Sequence, residues 1–148
     1  MTVTKRISLR AATGLLSAIG LLAAVQVAAP TVSNAGGATC RGEAATIVGS
    51  PHRDVIDGTS GRDVIAAMGG NDDIDAGGGN DLVCGGPGAE EIDGDAGNDV
   101  LLGQGGNDEI DGQRGDDRLN GGRGNDDLDG EAGTDTCVNG ENVDDCES

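Results

Sequence analysis

The sequence predicts an all-β solenoid of short parallel strands, on three observations. From Gly49 to Val138 the chain divides into ten nonapeptides without an insertion. One column is aliphatic in nine of the ten units and Cys in the last, so every unit has a side chain to bury. Glycine, 29 of 148 residues, recurs too often for helices to form. A formal charge of -18 with no aromatic residue would ordinarily signal disorder. A disordered linker, however, needs no fixed apolar column and would drift in phase over ten units.

In order the units read GSPHRDVID, GTSGRDVIA, AMGGNDDID, AGGGNDLVC, GGPGAEEID, GDAGNDVLL, GQGGNDEID, GQRGDDRLN, GGRGNDDLD and GEAGTDTCV. The fourth column is Gly in every unit but the first, where His52 stands. The sixth is acidic throughout: Asp54, Asp63, Asp72, Asp81, Glu90, Asp99, Asp108, Asp117, Asp126 and Asp135. The eighth is Ile56, Ile65, Ile74, Val83, Ile92, Leu101, Ile110, Leu119 and Leu128, then Cys137. The first six residues of a unit are turn formers. The last three suit a short strand with its middle residue inward. Two units then make one coil of 18 residues. Coils stacked at about 4.8 Å give a five-coil rod of roughly 24 Å. An EF-hand is excluded, because its loop needs D-x-[DN]-x-[DN]-G and a Glu between two helices.

These units resemble the RTX (haemolysin-type) calcium-binding nonapeptide repeat, G-G-x-G-x-D-x-U-x with U a large aliphatic residue. The resemblance covers residues 49–138. It implies a right-handed parallel β-roll of about five 18-residue coils that binds several Ca²⁺ ions in its turns. It also implies that bridging acids come from alternate repeats. One edge would use Asp54, Asp72, Glu90, Asp108 and Asp126, and the other Asp63, Asp81, Asp99, Asp117 and Asp135. Five turns per edge leave four gaps, hence roughly eight sites. Such rolls usually accompany a toxin, protease or lipase domain. These residues carry none, so no enzymatic function transfers.

The chemistry of the residues agrees with that implication. Stacking places each sixth-column acid beside the one 18 positions away, and a hard cation between them turns repulsion into ligation. Ca²⁺ takes six to eight oxygens in flexible geometry, including backbone carbonyls. Zn²⁺ is disfavoured, since His52 is the single His. Three departures from the pattern stand out. Glu90 is one methylene too long, so its two gaps should bind weakly. Pro51 and His52 mark the first turn as a cap with a poor site. Ala67 and Ala76 replace first-column Gly, a milder change.

The ends read differently. Lys5, Arg6 and Arg10 precede the apolar run Ala11–Ala29, and PTVSNA supplies small residues before a cut after Ala35. This is the layout of a secretory signal peptide, expected over 1–35. Its removal leaves six Arg against 27 acids, a formal charge of -21. The mature protein is expected outside the cell, off the membrane. Lacking a basic patch, it is not expected on nucleic acid. Residues 36–48 form an N-terminal cap and 139–148 a C-terminal one. CRGEAATIV (40–48) fits the repeat register with Ile47 inward and Ala45 where the acid should be, a metal-free half-coil. Four cysteines in a secreted chain imply two disulfides, of which three pairings are open. The expected one is Cys40–Cys84 with Cys137–Cys146 closing the C-terminal loop.

A second period divides the faces. Odd units end in Asp57, Asp75, Asp93, Asp111 and Asp129, whereas even units end in Ala66, Cys84, Leu102, Asn120 and Val138. The even face is partly apolar, with Val64, Leu82 and Val100 in the seventh column. Residues 36–48 are expected to cover it; otherwise it offers a homodimer or surface-ligand contact. The expected function is a secreted Ca²⁺-binding protein whose binding is its folding. An enzyme is not expected: one His, no Tyr and no Lys beyond Lys5 leave no nucleophile with a positioned base. The alternative is a Ca²⁺-stabilised adhesion module. Its sequence basis is the fifth-column row Asn71, Asn80, Asn98, Asn107 and Asn125.

Overall fold

A computed structural model describes residues 5–8 and 37–147. The expected leader, 1–35, lies outside the described residues apart from Lys5–Ser8. In chain order the first strands are β1 (Lys5–Ser8), β2 (Thr39–Cys40), β3 (Glu43–Ala44), β4 (Ile47–Ser50), β5 (Asp54–Thr59), β6 (Val64–Met68) and β7 (Asp73–Gly77). There follow β8 (Leu82–Pro87), β9 (Glu91–Asp93), β10 (Val100–Gly105), β11 (Glu109–Asp111), β12 (Arg118–Arg123), β13 (Asp127–Asp129), β14 (Thr136–Val138) and β15 (Asn142–Asp144).

Odd units form one parallel sheet, with β1 and β15 at its two edges, ordered β1-β5-β7-β9-β11-β13-β15, and even units the other, β14-β12-β10-β8-β6-β4. From β4 to β14 partners differ by 18 residues, as in Ile74 opposite Ile92 and Leu101 opposite Leu119, whereas Ile7 of β1 stands opposite Ile56 and Val143 of β15 opposite Leu128. The protein is therefore an all-β roll of about five two-unit coils. None of its described residues forms a helix long and apolar enough to cross a membrane. All nine eighth-column aliphatics are buried between the sheets, with Ile47 extending the core and Cys137 half-buried at its end. The methyls of Ala67 and Ala76 join the same core.

The strands are longer than the last three columns. β8, β10 and β12 each run six residues, into the first three columns of the next unit. Parallel pairing continues there because those residues keep the ladder, as in Gln104 opposite Gly86. The second column then turns with positive φ in every unit from the third on. Gly77, Gly86 and Gly122 do so at no steric cost, but Met68 (φ 85°), Asp95, Gln104, Gln113 and Glu131 do so as well.

The N-terminal cap departs from the expected half-coil. Only Thr46 onward enters the roll, where the Thr46 N–H donates to the Val64 carbonyl at 2.7 Å. Residues 39–44 instead make an antiparallel hairpin, β2 with β3. Arg41 and Gly42 both take positive φ, the turn that joins two such strands most tightly. The hairpin carries Cys40 and Ala45 onto the even face. There they bury Val64, Ala66, Leu82 and Cys84, with Val100 and Leu102 at the margin. The apolar stripe is thus covered by the chain itself, and the contact surface it seemed to offer a dimer is largely used up. The disulfides are Cys40–Cys84 and Cys137–Cys146.

Candidate metal centre

The ten sixth-column acids are at most 4% exposed. They stand in two rows, one per edge, and a repeated hydrogen bond joins each row. The N–H of Asp54 donates to Oδ1 of Asp72 at 2.8 Å, and Asp108 donates to Oδ1 of Asp126 at 3.0 Å. On the other edge Asp63, Asp81, Asp99 and Asp117 each donate to the acid 18 positions on, at 2.7–2.8 Å. The fifth column runs the opposite way. Oδ1 of Asn71, Asn80, Asn98 and Asn107 accepts the N–H found 18 positions later, at 3.1–3.3 Å. The Asn row therefore stacks the turns, a structural use that the sequence did not reveal.

Asp72, Asp81, Asp99, Asp108, Asp117, Asp126 and Asp135 each spend Oδ1 on this bond, and Asp54, at the head of its row, spends Oδ2 on the Ser50 N–H. The other is buried and accepts nothing: Oδ1 of Asp54 and Oδ2 of Asp72, Asp81, Asp99, Asp108, Asp117, Asp126 and Asp135. A buried carboxylate oxygen left without a donor is strongly unfavourable unless a cation or proton faces it. The protons respond accordingly. Burial pushes Asp99 up to about 7, and the Asp81 and Asp117 carboxylates add to the rise. Burial likewise raises Asp72, Asp81, Asp108 and Asp117.

Two row members differ. Both oxygens of Glu90 are buried and accept nothing, so the bond expected from Asp72 N–H is missing. Glu90 still donates its own N–H to Asp108 at 3.0 Å. Burial, with the Asp108 carboxylate beside it, pushes Glu90 to about 9. Asp63 has no orphan oxygen. Its Oδ1 accepts the Thr46 hydroxyl at 3.2 Å, and its Oδ2 accepts the N–H and hydroxyl of Thr59 at 2.8 Å each. Pro51 and His52 are exposed at the first turn.

The donor set fits a hard, oxygen-seeking cation. Among the described residues no three His, Cys, Asp or Glu side chains form a metal cluster. Further ligands must then come from the backbone, which the turns supply. A methyl on Gly97 (φ 144°) would overlap the carbonyl oxygen of Gly79, so only glycine lets the turns stack this closely. Mixed carboxylate and carbonyl oxygens are Ca²⁺ chemistry. An open groove of about 510 Å³ follows the odd-unit edge past Asn71, Asp72, Glu90, Asn107 and Asp108, giving solvent a path along the row.

The rows continue beyond the last nonapeptide. Asp126 N–H donates to Oε2 of Glu141 at 2.8 Å, and Asp135 N–H to Oε2 of Glu147 at 2.5 Å. The repeat reading missed both. β15 pairs with β13 at a separation of 15, Leu128 opposite Val143, so an eleventh unit exists with three turn residues missing. Its trace is the string ENVD, which has the acid-x-aliphatic-x form of DDLD.

The family model of the RTX calcium-binding nonapeptide repeat matches in four copies, over residues 48–83, 85–119, 102–137 and 111–144. No curated protein and no solved structure matches the chain.

Proposed function

The chain belongs to the RTX calcium-binding nonapeptide repeat family, and from that premise we propose a secreted, non-catalytic Ca²⁺-binding protein whose folding is coupled to ligation. The supporting observation is the double row of buried carboxylate oxygens without donors. Asp54, Asp72, Asp108 and Asp126 would hold ions along one edge, and Asp81, Asp99, Asp117 and Asp135 along the other. Glu90 and Asp63 belong to the same rows, Glu90 as a weaker ligand and Asp63 with its oxygens shared with threonines. A bound cation would face the carboxylate oxygens that no donor reaches.

The chain's own residues do the rest. In the folded roll the Oδ1 bonds set the spacing of the rows. The ladder of aliphatic side chains makes the coils stack in register. Without a counter-charge, the aligned carboxylates repel and the thin core must hold them alone. Ordering the coils and engaging the carboxylates are then one event, cooperative along the rod.

Export is proposed from the N-terminal layout and the two disulfides, which suit an oxidising compartment. N-terminal sequencing of the exported protein should begin at Gly36; a product starting at Met1 contradicts cleavage. For the binding itself, calorimetry should find several Ca²⁺ ions bound per chain. Absence of binding at millimolar Ca²⁺ contradicts the proposal.

A further inference from the structure

Building on the Ca²⁺ reading of the rows, we propose that the disulfide-closed C-terminal cap adds a fifth cation gap to each edge, with Glu141 and Glu147 as its carboxylate ligands. Within the rows, every gap but that between Asp72 and Glu90 is spanned by the same bond, from one acid's N–H to the carboxylate of the next coil. Beyond Asp126 and Asp135 that bond continues to Glu141 and Glu147, although neither belongs to a complete nonapeptide. The truncated turn places Glu141 one step before Asn142, which pairs with Asp127, and so in the sixth-column position.

The carbonyl half of the site continues too. In the interior, a methyl on Gly112 would lie 2.9 Å from Oδ2 of Asp117 and 3.0 Å from the carbonyl oxygen of Gly130. The same carboxylate-and-carbonyl pairing surrounds the last two first-column glycines. At Gly121 the oxygens are Oδ2 of Asp126 and the carbonyl of Asn139. At Gly130 they are Oδ2 of Asp135 and the carbonyl of Asp145. Both Oδ2 atoms are buried and without a hydrogen-bond donor, in residues only 1% exposed. Each terminal gap therefore holds two carboxylates and a cap carbonyl. The Cys137–Cys146 bond closes the segment that carries Glu141 and ends beside Glu147.

The opposite end of the roll shows the contrast. There, on the even-unit edge, Thr46 meets Asp63 with a hydroxyl and Asp63 keeps no oxygen without a donor, whereas Asp54 heads the odd-unit row with Oδ1 unpaired. The N-terminal cap thus closes the even-unit row alone, whereas the C-terminal cap extends both rows.

Equilibrium dialysis and calorimetry of the full chain with Ca²⁺ test this. Glu141→Gln and Glu147→Gln keep an acceptor for the Asp126 and Asp135 N–H groups but remove the charge. Each should cost one ion, or weaken one site about tenfold, and the double variant should lose both. Asp144→Asn, an exposed acid of the same cap, should leave the count unchanged. Circular dichroism at saturating Ca²⁺ should show the same β content in all variants. Glu147 lies outside the disulfide loop, so E147Q tests one site even where E141Q fails to fold. Variants that bind as many ions as the parent, with the same affinity, overturn the inference and leave the ten-acid rows standing. A parent chain that binds no Ca²⁺ overturns both.

Discussion

Glu90 shows how much one methylene matters in a row of stacked turns. Its longer side chain sets its oxygens against Gly85 and Gly88 of its own turn, and both are left without donors. Glu90→Asp should restore that bond, worth about 1 kcal/mol, and lower the Ca²⁺ midpoint measured by calorimetry. An unchanged or raised midpoint would contradict this. The raised carboxyl groups set a pH dependence in the absence of Ca²⁺. An acid whose pKa is raised by folding holds its proton more tightly in the fold, so protonation stabilises the fold. That stabilisation is complete below the ordinary carboxylate value of about 4. It is lost as pH rises through about 7 for Asp99 and about 9 for Glu90. In EGTA, β content by circular dichroism should therefore be greater near pH 5 than near pH 9. Met68, at φ 85° and half exposed, is a second test. Met68→Gly relieves a left-handed residue and should stabilise the protein by up to about 1 kcal/mol in thermal unfolding with Ca²⁺ present. The sequence announced the Glu90 departure, because a column of nine Asp makes one Glu conspicuous. It hid the positive φ of the second column, because that column mixes Gly with Met, Asp, Gln and Glu.

At the scale of the strand and turn, the period of nine carries most of the information. It placed every eighth-column side chain in the core and every sixth-column acid in a buried row, because a two-unit coil leaves one register for both. Ile110→Ala, in the middle of the odd ladder, should cost about 2–5 kcal/mol and raise the Ca²⁺ concentration needed to fold. A titration midpoint equal to the parent's would mean that the ladder adds little. The period failed where the chain leaves it. The hairpin at 39–44 is set by the paired positive φ of Arg41 and Gly42, a local choice that overrides the nonapeptide register. The eleventh unit was hidden by three missing turn residues, although its strand pairs like the others. The fifth-column Asn row looked like a surface feature, and its role appears only when the coils are stacked.

Over the whole molecule, a narrow aliphatic core stands between two rows of carboxylates, and the ends are tied by disulfides. Cys40–Cys84 bridges a separation of 44 residues and pins the hairpin onto the even face. Closing a loop of that size restricts the unfolded chain by about 4 kcal/mol on the chain-entropy account. Reduction should therefore raise the Ca²⁺ requirement for folding without abolishing binding. The account's central claim is that folding and ligation are one event, so the most direct measurement follows both in one titration. Far-ultraviolet circular dichroism of the chain should pass from coil to β as Ca²⁺ rises to millimolar concentration. The change should track ions bound and reverse with EGTA. A spectrum that stays the same with and without Ca²⁺, or bound ions with no change in structure, would contradict it.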